Sequence, residues 1–196
     1  MRKNRQKKNI FCIEGLWDND LRRRSTIEPI LELLEANYDI KYIYKDCATR
    51  EELFYLLGRW NKPRYDTYPV LYLATHGWEQ GLRFGDYDLR LGDLAEALGD
   101  TCRNRILVFA SCNTLGGDSR PLEAFVERTG ALAICGYRND VAWLRSTAFE
   151  CLLLASMQKN EFSGRGIAAI ERKAEEAARF FPDVEFRMVT RKELDD

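Results

Sequence analysis

At 196 residues, with 45% hydrophobic and 12% aromatic residues, the chain is long enough to bury one full core and too apolar to be disordered. Thirty Lys and Arg against 31 Asp and Glu leave a net charge of -1, so nothing in the charge balance calls for nucleic acid as a partner. No apolar run approaches the ~20 residues that span a bilayer. The opening MRKNRQKKN is basic but lacks the apolar stretch of a secretory signal.

These features lead us to expect a cytoplasmic protein with no membrane span. Residues 1–8 read as a solvated basic tail and residues 9–196 as one domain. The first strand is NIFCIEG. The helix STIEPILELLEAN follows, with Ser25 or Thr26 placed to cap it and Glu28 close behind. YDIKYIYKD alternates apolar and polar residues as a second strand, and TREELFYLLGRW is a helix capped by Thr49. YPVLYLATHG is almost wholly apolar from Val70 to Ala74, the pattern of a strand buried on both faces.

GLRFGDYDLRLGDLAEALGD alternates around Gly85-Asp86 as a small surface hairpin and enters a helix near Gly92. RNRILVFASC is a further buried strand. SRPLEAFVERTG is a helix with Pro121 in its first turn and Gly130 ending it. A strand ALAICG, helices RSTAFECLLLASMQ and GRGIAAIERKAEEAARFF, and a last strand DVEFRMV complete the chain. Strands alternating with helices predict an α/β fold with a mostly parallel sheet covered by helices on both faces. Ligands of such sheets sit beyond the carboxyl ends of the strands.

Two residues stand at those ends. His76, the one histidine, ends the run VLYLAT, and Cys112 ends ILVFAS; Gly77 follows the first, and Asn113, Thr114, Gly116 and Gly117 follow the second. Strands that pair run ~4.8 Å apart, so side chains leaving neighbouring ends can converge on one atom. Taken singly, His76 reads as a polar strand exit and Cys112 as a buried thiol. The repeated arrangement sets the pair apart, with flexible backbone beside a candidate nucleophile.

Rival chemistries lack their motifs. The histidine precedes the nucleophile and there is no G-x-S-x-G elbow, unlike an α/β-hydrolase. The turn EGLWDNDLRRR is no G-x-G-x-x-G, so no dinucleotide cofactor is expected. The six cysteines form no CxxC pair, which gives no zinc spacing and suits a reduced compartment. We expect neither metal nor cofactor.

LYLATHG and LVFASCNT resemble the His-Gly and Ala-Cys motifs of the caspase-like (clan CD) cysteine peptidases, most nearly the CHAT domains. GLRFGDYDLRLGDLAEAL resembles the hairpin and helix between those motifs. SCNTLGGDSRPLEAFVERTGALAICGYRNDVAW resembles the Ser-Ala-Cys-x-Thr segment, helix and strand that follow. The likeness spans residues 70–154. It implies a three-layer sandwich on a mostly parallel sheet of about six strands, with a small surface hairpin between the His and Cys motifs.

The resemblance also implies an activity. Cys112 would attack a peptide carbonyl to form a thioester, His76 would relay the proton, and the Gly77 and Cys112 amides would be the oxyanion donors. The substrate-binding positions it points to are Glu14, Asp18, Ala110 and Asp140. Family members often carry Gln or Asp where this chain has Ala110. The carboxylates Glu14, Asp18 and Asp140 suggest Arg or Lys at P1. Arg138 and the LRRR run at residues 21–24 suggest instead an acidic P1, and Trp17, Tyr137 or Trp143 an apolar one. The partners implied are a protein or peptide substrate and a separate activator, in a bacterial defence or cell-death pathway. Two other readings stand beside this one: a catalytically silent caspase-like scaffold and a flavodoxin-like small-ligand binder.

Overall fold

The computed structural model describes residues 7–23 and 25–191. Its elements begin with β1 (Ile10–Gly15), α1 (Glu28–Tyr38), β2 (Tyr42–Cys47), α2 (Arg50–Trp60) and β3 (Val70–Ala74). A meander of β4 (His76–Trp78), β5 (Gly81–Phe84) and β6 (Tyr87–Arg90) comes next. The chain continues through α3 (Leu91–Leu98), β7 (Ile106–Ala110), α4 (Arg120–Thr129) and β8 (Ala133–Tyr137). It ends with α5 (Trp143–Met157), α6 (Gly164–Ala178) and β9 (Phe186–Thr190).

The main sheet has six strands in the order β2-β1-β3-β7-β8-β9, parallel except for β9, which runs antiparallel to β8. The four inner strands are buried at every position, as their continuous apolar runs require. Alternation then sorts their side chains. Tyr72, Ala74, Val108 and Ala110 face one core, shared with α1, α5 and α6. Leu71, Leu73, Leu107 and Phe109 face the other, shared with α2, α3 and α4. The three-layer α/β sandwich expected from the sequence is present.

Local chemistry accounts for the helix ends. Thr49 and Glu52 close a capping box on α2, and Gly130 ends α4 in the left-handed region at φ 68°. The N-cap of α1 is Ile27 and not the expected Ser25 or Thr26, and no side chain caps the helix. Thr26 Oγ1 accepts instead from the Glu28 amide at 3.1 Å and Glu14 Oε1 from the Ile27 amide at 2.9 Å, so a strand-end carboxylate holds the entry to the helix. The expected hairpin is a three-stranded meander, because His76–Trp78 adds an antiparallel strand to it. Of the basic tail, residues 1–6 lie outside the described residues. Lys8 is buried and its backbone bonds the Gln158 side chain at the end of α5.

One buried carboxyl ties the layers together. Glu150 of α5 is 3% exposed and accepts hydrogen bonds from Tyr72 Oη of β3 and from Tyr137 Oη of β8, the latter at 2.7 Å. Burial pushes its carboxyl above the ordinary range, against the opposing pull of the two hydroxyls. A carboxyl raised in the folded state stabilises most at low pH, and that stability is lost as pH rises from the unfolded value of about 4.3 through the folded one. The variant Glu150→Gln keeps the shape without the charge. Paired thermal melts from pH 4 to 8 should show the wild type losing ground to Glu150→Gln as pH rises; a pH-independent difference would show that Glu150 does not titrate on folding.

Candidate active site

The pairing of β3 with β7 sets the site. Ala74 is in register with Ala110, and the Thr75 amide donates to the Ala110 carbonyl at 3.3 Å. His76 and Cys112 each lie two residues beyond that pair, so the two leave adjacent strands at the same height. Gly77 shows how close the segments come. A Cβ there would lie 2.5 Å from the Cys112 carbonyl oxygen, 2.3 Å from Thr114 Oγ1 and 2.9 Å from Ser111 Cβ. Only glycine fits that approach.

His76 is exposed and begins β4, paired with Arg83. Its Nε2 lies 2.9 Å from the carbonyl oxygen of Trp17. A carbonyl can only accept, so Nε2 carries the hydrogen and the lone pair of the neutral ring is on Nδ1. The Trp17 indole packs edge-on against the imidazole at 5.4 Å between centroids and against Trp143 at 4.7 Å. Trp17 is held in turn by Glu14, which is 2% exposed and accepts its Nε1–H. Glu14 also accepts from Thr26 Oγ1, Tyr44 Oη and the Ile27 amide.

Cys112 is half-buried, with Sγ 4.0 Å from the Val141 carbonyl. Its loop is braced from several sides. The Asn113 amide donates to the Asn139 carbonyl at 2.8 Å and the Leu115 amide to the Tyr137 carbonyl at 2.9 Å. Ser111 and Thr114 share a hydroxyl bond of 2.6 Å, and Arg187 of β9 donates to the Leu115 and Gly117 carbonyls. Among the described residues no acceptor engages the Cys112 amide. The other five thiols are pushed up, each chiefly by burial: Cys102 to about 11, Cys47 to about 12, and Cys12, Cys135 and Cys151 also upward.

The remaining residues expected at the site are spread around it. Glu14 and Asp18 line a cavity of about 320 Å³ beyond the ends of β1 and β2, with the Glu14 oxygens turned to its four internal donors. Asp18 also lines a separate cavity of about 370 Å³ beside His76 and pairs with Arg23 at 3.1 Å. Ala110 is buried at the end of β7, and Asp140 is exposed beside Val141. Within the LRRR run, Arg22 pairs with Asp20 and Arg24 lies outside the described residues. Sequence reasoning did not find the Trp17 carbonyl, which no residue letter encodes, or the bracing Arg187. Among the described residues no three His, Cys, Asp or Glu side chains gather as a metal site requires, and no helix is long and apolar enough to cross a membrane.

A six-stranded, mostly parallel sheet between helical layers, with a small meander between its third and fourth strands in chain order, defines a caspase-like fold. Among solved structures the chain is similar to caspase-1 from Spodoptera frugiperda at a TM-score of 0.59 and 13% identity, over 98% of this chain and 94% of that one. At that identity the likeness is one of fold. A model described as a family of unknown function (DUF6642) matches residues 7–181, and the chain belongs to that family. No curated protein matches it.

Two outcomes follow from this geometry. Gly77→Ala should lower stability by roughly 1–3 kcal/mol, the usual cost of forcing extra volume into packed surroundings, read as a fall in Tm. Limited alkylation at pH 7.5 should modify Cys112 well before the buried Cys12, Cys47, Cys102 and Cys135, as peptide mapping by mass spectrometry would show; preferential modification of any of those four would contradict the burial described.

Proposed function

We propose that this chain is a cysteine endopeptidase working through a His76–Cys112 dyad, with residues 9–196 acting as one catalytic domain. The observation that carries this reading is the imidazole held by the Trp17 carbonyl, which leaves Nδ1 free as a base beside the strand that presents Cys112. A free thiol with a pKa near ~8.5 is only a few per cent thiolate at neutral pH, so it needs such a base. The sulfur bonds to the scissile carbonyl carbon as His76 takes its proton. The C–N bond then breaks, and the proton passes to the leaving amine. Water hydrolyses the thioester, returning the thiol.

The Cys112 amide, which has no acceptor among the described residues, and the Gly77 amide are the oxyanion donors in this reading. One such donor is typically worth ~3 kcal/mol of barrier. The order of motifs over residues 70–154 favours a CHAT-like member of the class. For P1, Asp140 beside the Val141 carbonyl supports a basic residue. Glu14 contributes by holding Trp17, since its oxygens already accept four hydrogen bonds. Exposed Leu16, Trp143 and Leu144 near the strand ends suit a separate activating protein, and the family resemblance suggests a defence or cell-death setting in bacteria.

The test is covalent labelling with peptidyl ketones carrying Arg, Lys, Asp or Leu at P1, mapped by mass spectrometry with and without lysate of the native host. Labelling should fall on Cys112, favour Arg or Lys, and drop at least about 100-fold in His76→Ala, the usual scale for losing a general base. Labelling that ignores His76, or spreads over several thiols, would leave the scaffold reading in place.

A further inference from the structure

The cavity beside His76 has a chemistry and a position of its own. Its walls include Trp17, Asp18 and Asn19 after β1, His76 itself, and Arg83 and Asp86 of the meander, around about 370 Å³. Neither Cys112 nor any residue following β7 or β8 lines it. It therefore lies on the β1 side of His76, away from the thiol. In the reaction proposed above the histidine hands its proton to the leaving amine, so the chain beyond the scissile bond departs past His76. A cavity bordered by His76 and not by Cys112 lies on that departing side.

Its charges are unequally matched. Arg83 is held by both oxygens of Asp88, at 2.7 and 3.2 Å, and Asp18 pairs with Arg23. Asp86, at the turn of the meander, has no ion pair within 4 Å among the described residues. It is exposed and lines the cavity; Arg83 on the same wall feels its charge but is itself engaged by Asp88, so Asp86 keeps its oxygens open to an incoming cation. Trp17 supplies an apolar wall on which the methylenes of a long side chain can lie.

We infer that this cavity is a leaving-group subsite selecting Lys or Arg at P1′, with Asp86 as the specificity-determining carboxylate and Asp18 in support. The inference rests on the peptidase reading and adds to it a preference on the other side of the scissile bond, independent of P1. An exposed ion pair is worth up to about 1 kcal/mol, or a factor of about five. The expected preference is therefore three- to fivefold and falls with added salt.

Two measurements separate this inference from the reading beneath it. First, the Cys112→Ala chain is titrated with the tripeptide amides Lys-Gly-Gly and Glu-Gly-Gly, which resemble a departing product. Tighter binding of Lys-Gly-Gly by at least about threefold, abolished in Asp86→Asn and reversed in Asp86→Lys, supports the subsite. Equal binding of the two peptides, or a preference unaltered in Asp86→Lys, overturns it. Second, quenched peptides with every P1 residue, each with Lys, Glu or Ala at P1′, are cleaved by the wild type and by Asp86→Lys. Faster cleavage before Lys that disappears in Asp86→Lys with P1 preference unchanged supports the inference. Cys112-dependent cleavage indifferent to P1′ overturns it while leaving the peptidase standing. If no P1 residue gives Cys112-dependent cleavage while the first titration shows the Lys preference, the peptidase reading falls and a cation-binding cavity remains.

Discussion

The pairing of β3 with β7 is the constraint on which the site depends. Side chains alternate with period two, so the register that matches Ala74 with Ala110 also fixes which face every later residue meets. A slip of one residue would place Thr75 opposite Ala110 and turn the apolar sets of β3 toward the wrong cores. Packing penalises that slip all along the strand: Tyr72 belongs with α5, while Leu71 and Leu73 belong with α2 and α3. The relative height of His76 and Cys112 is thus held by core residues that touch neither of them. Gly77 completes the arrangement by letting the two strand exits touch backbone to backbone.

Beside that register stands a buried carboxylate. A lone Glu at 2% exposure is costly to bury unless its oxygens are satisfied, and Glu14 has four donors to satisfy them. Those donors come from three segments: the β1 exit through Trp17, the start of α1 through Thr26 and Ile27, and β2 through Tyr44. Glu14 gathers them around the end of β1, where the Trp17 carbonyl meets His76. The link from burial to chemistry is therefore indirect. A carboxylate that looks like a substrate ligand in the sequence fixes the residue whose main chain fixes the imidazole.

How much of this was legible in the residues follows the range of the forces involved. The inner strands announced themselves because burial on both faces demands unbroken apolar runs such as VLYLA and ILVFA. The cap at Thr49 and the glycine stop at Gly130 were readable because their chemistry is local. The meander exceeds the expected hairpin by one strand, because HGW is too brief to show alternation and gains strand geometry only by pairing with Gly81–Phe84. Nothing in sequence distinguishes the solvated carboxylate of Asp18 from the internal one of Glu14. That difference arises only when β1, α1 and β2 meet.

Helix α5 joins the floor of the site to its rim. At its middle, Glu150 bonds Tyr72 of the strand that leads to His76 and Tyr137 of the strand whose carbonyl holds Leu115 in the Cys112 loop. At its first residue, Trp143 packs on Trp17, and Trp17 holds His76 through its carbonyl and its ring. Val141, just before the helix, lies against the Cys112 sulfur. The surroundings of both residues therefore converge on α5, through Trp143 and Trp17 on the His76 side and through the preceding Val141 on the Cys112 side. A shift of α5 along its axis would move the aromatic pair and the sulfur contact together, while the β3–β7 pairing kept the strand ends in register. The sheet sets where His76 and Cys112 leave the core, and α5 sets how their surroundings are held.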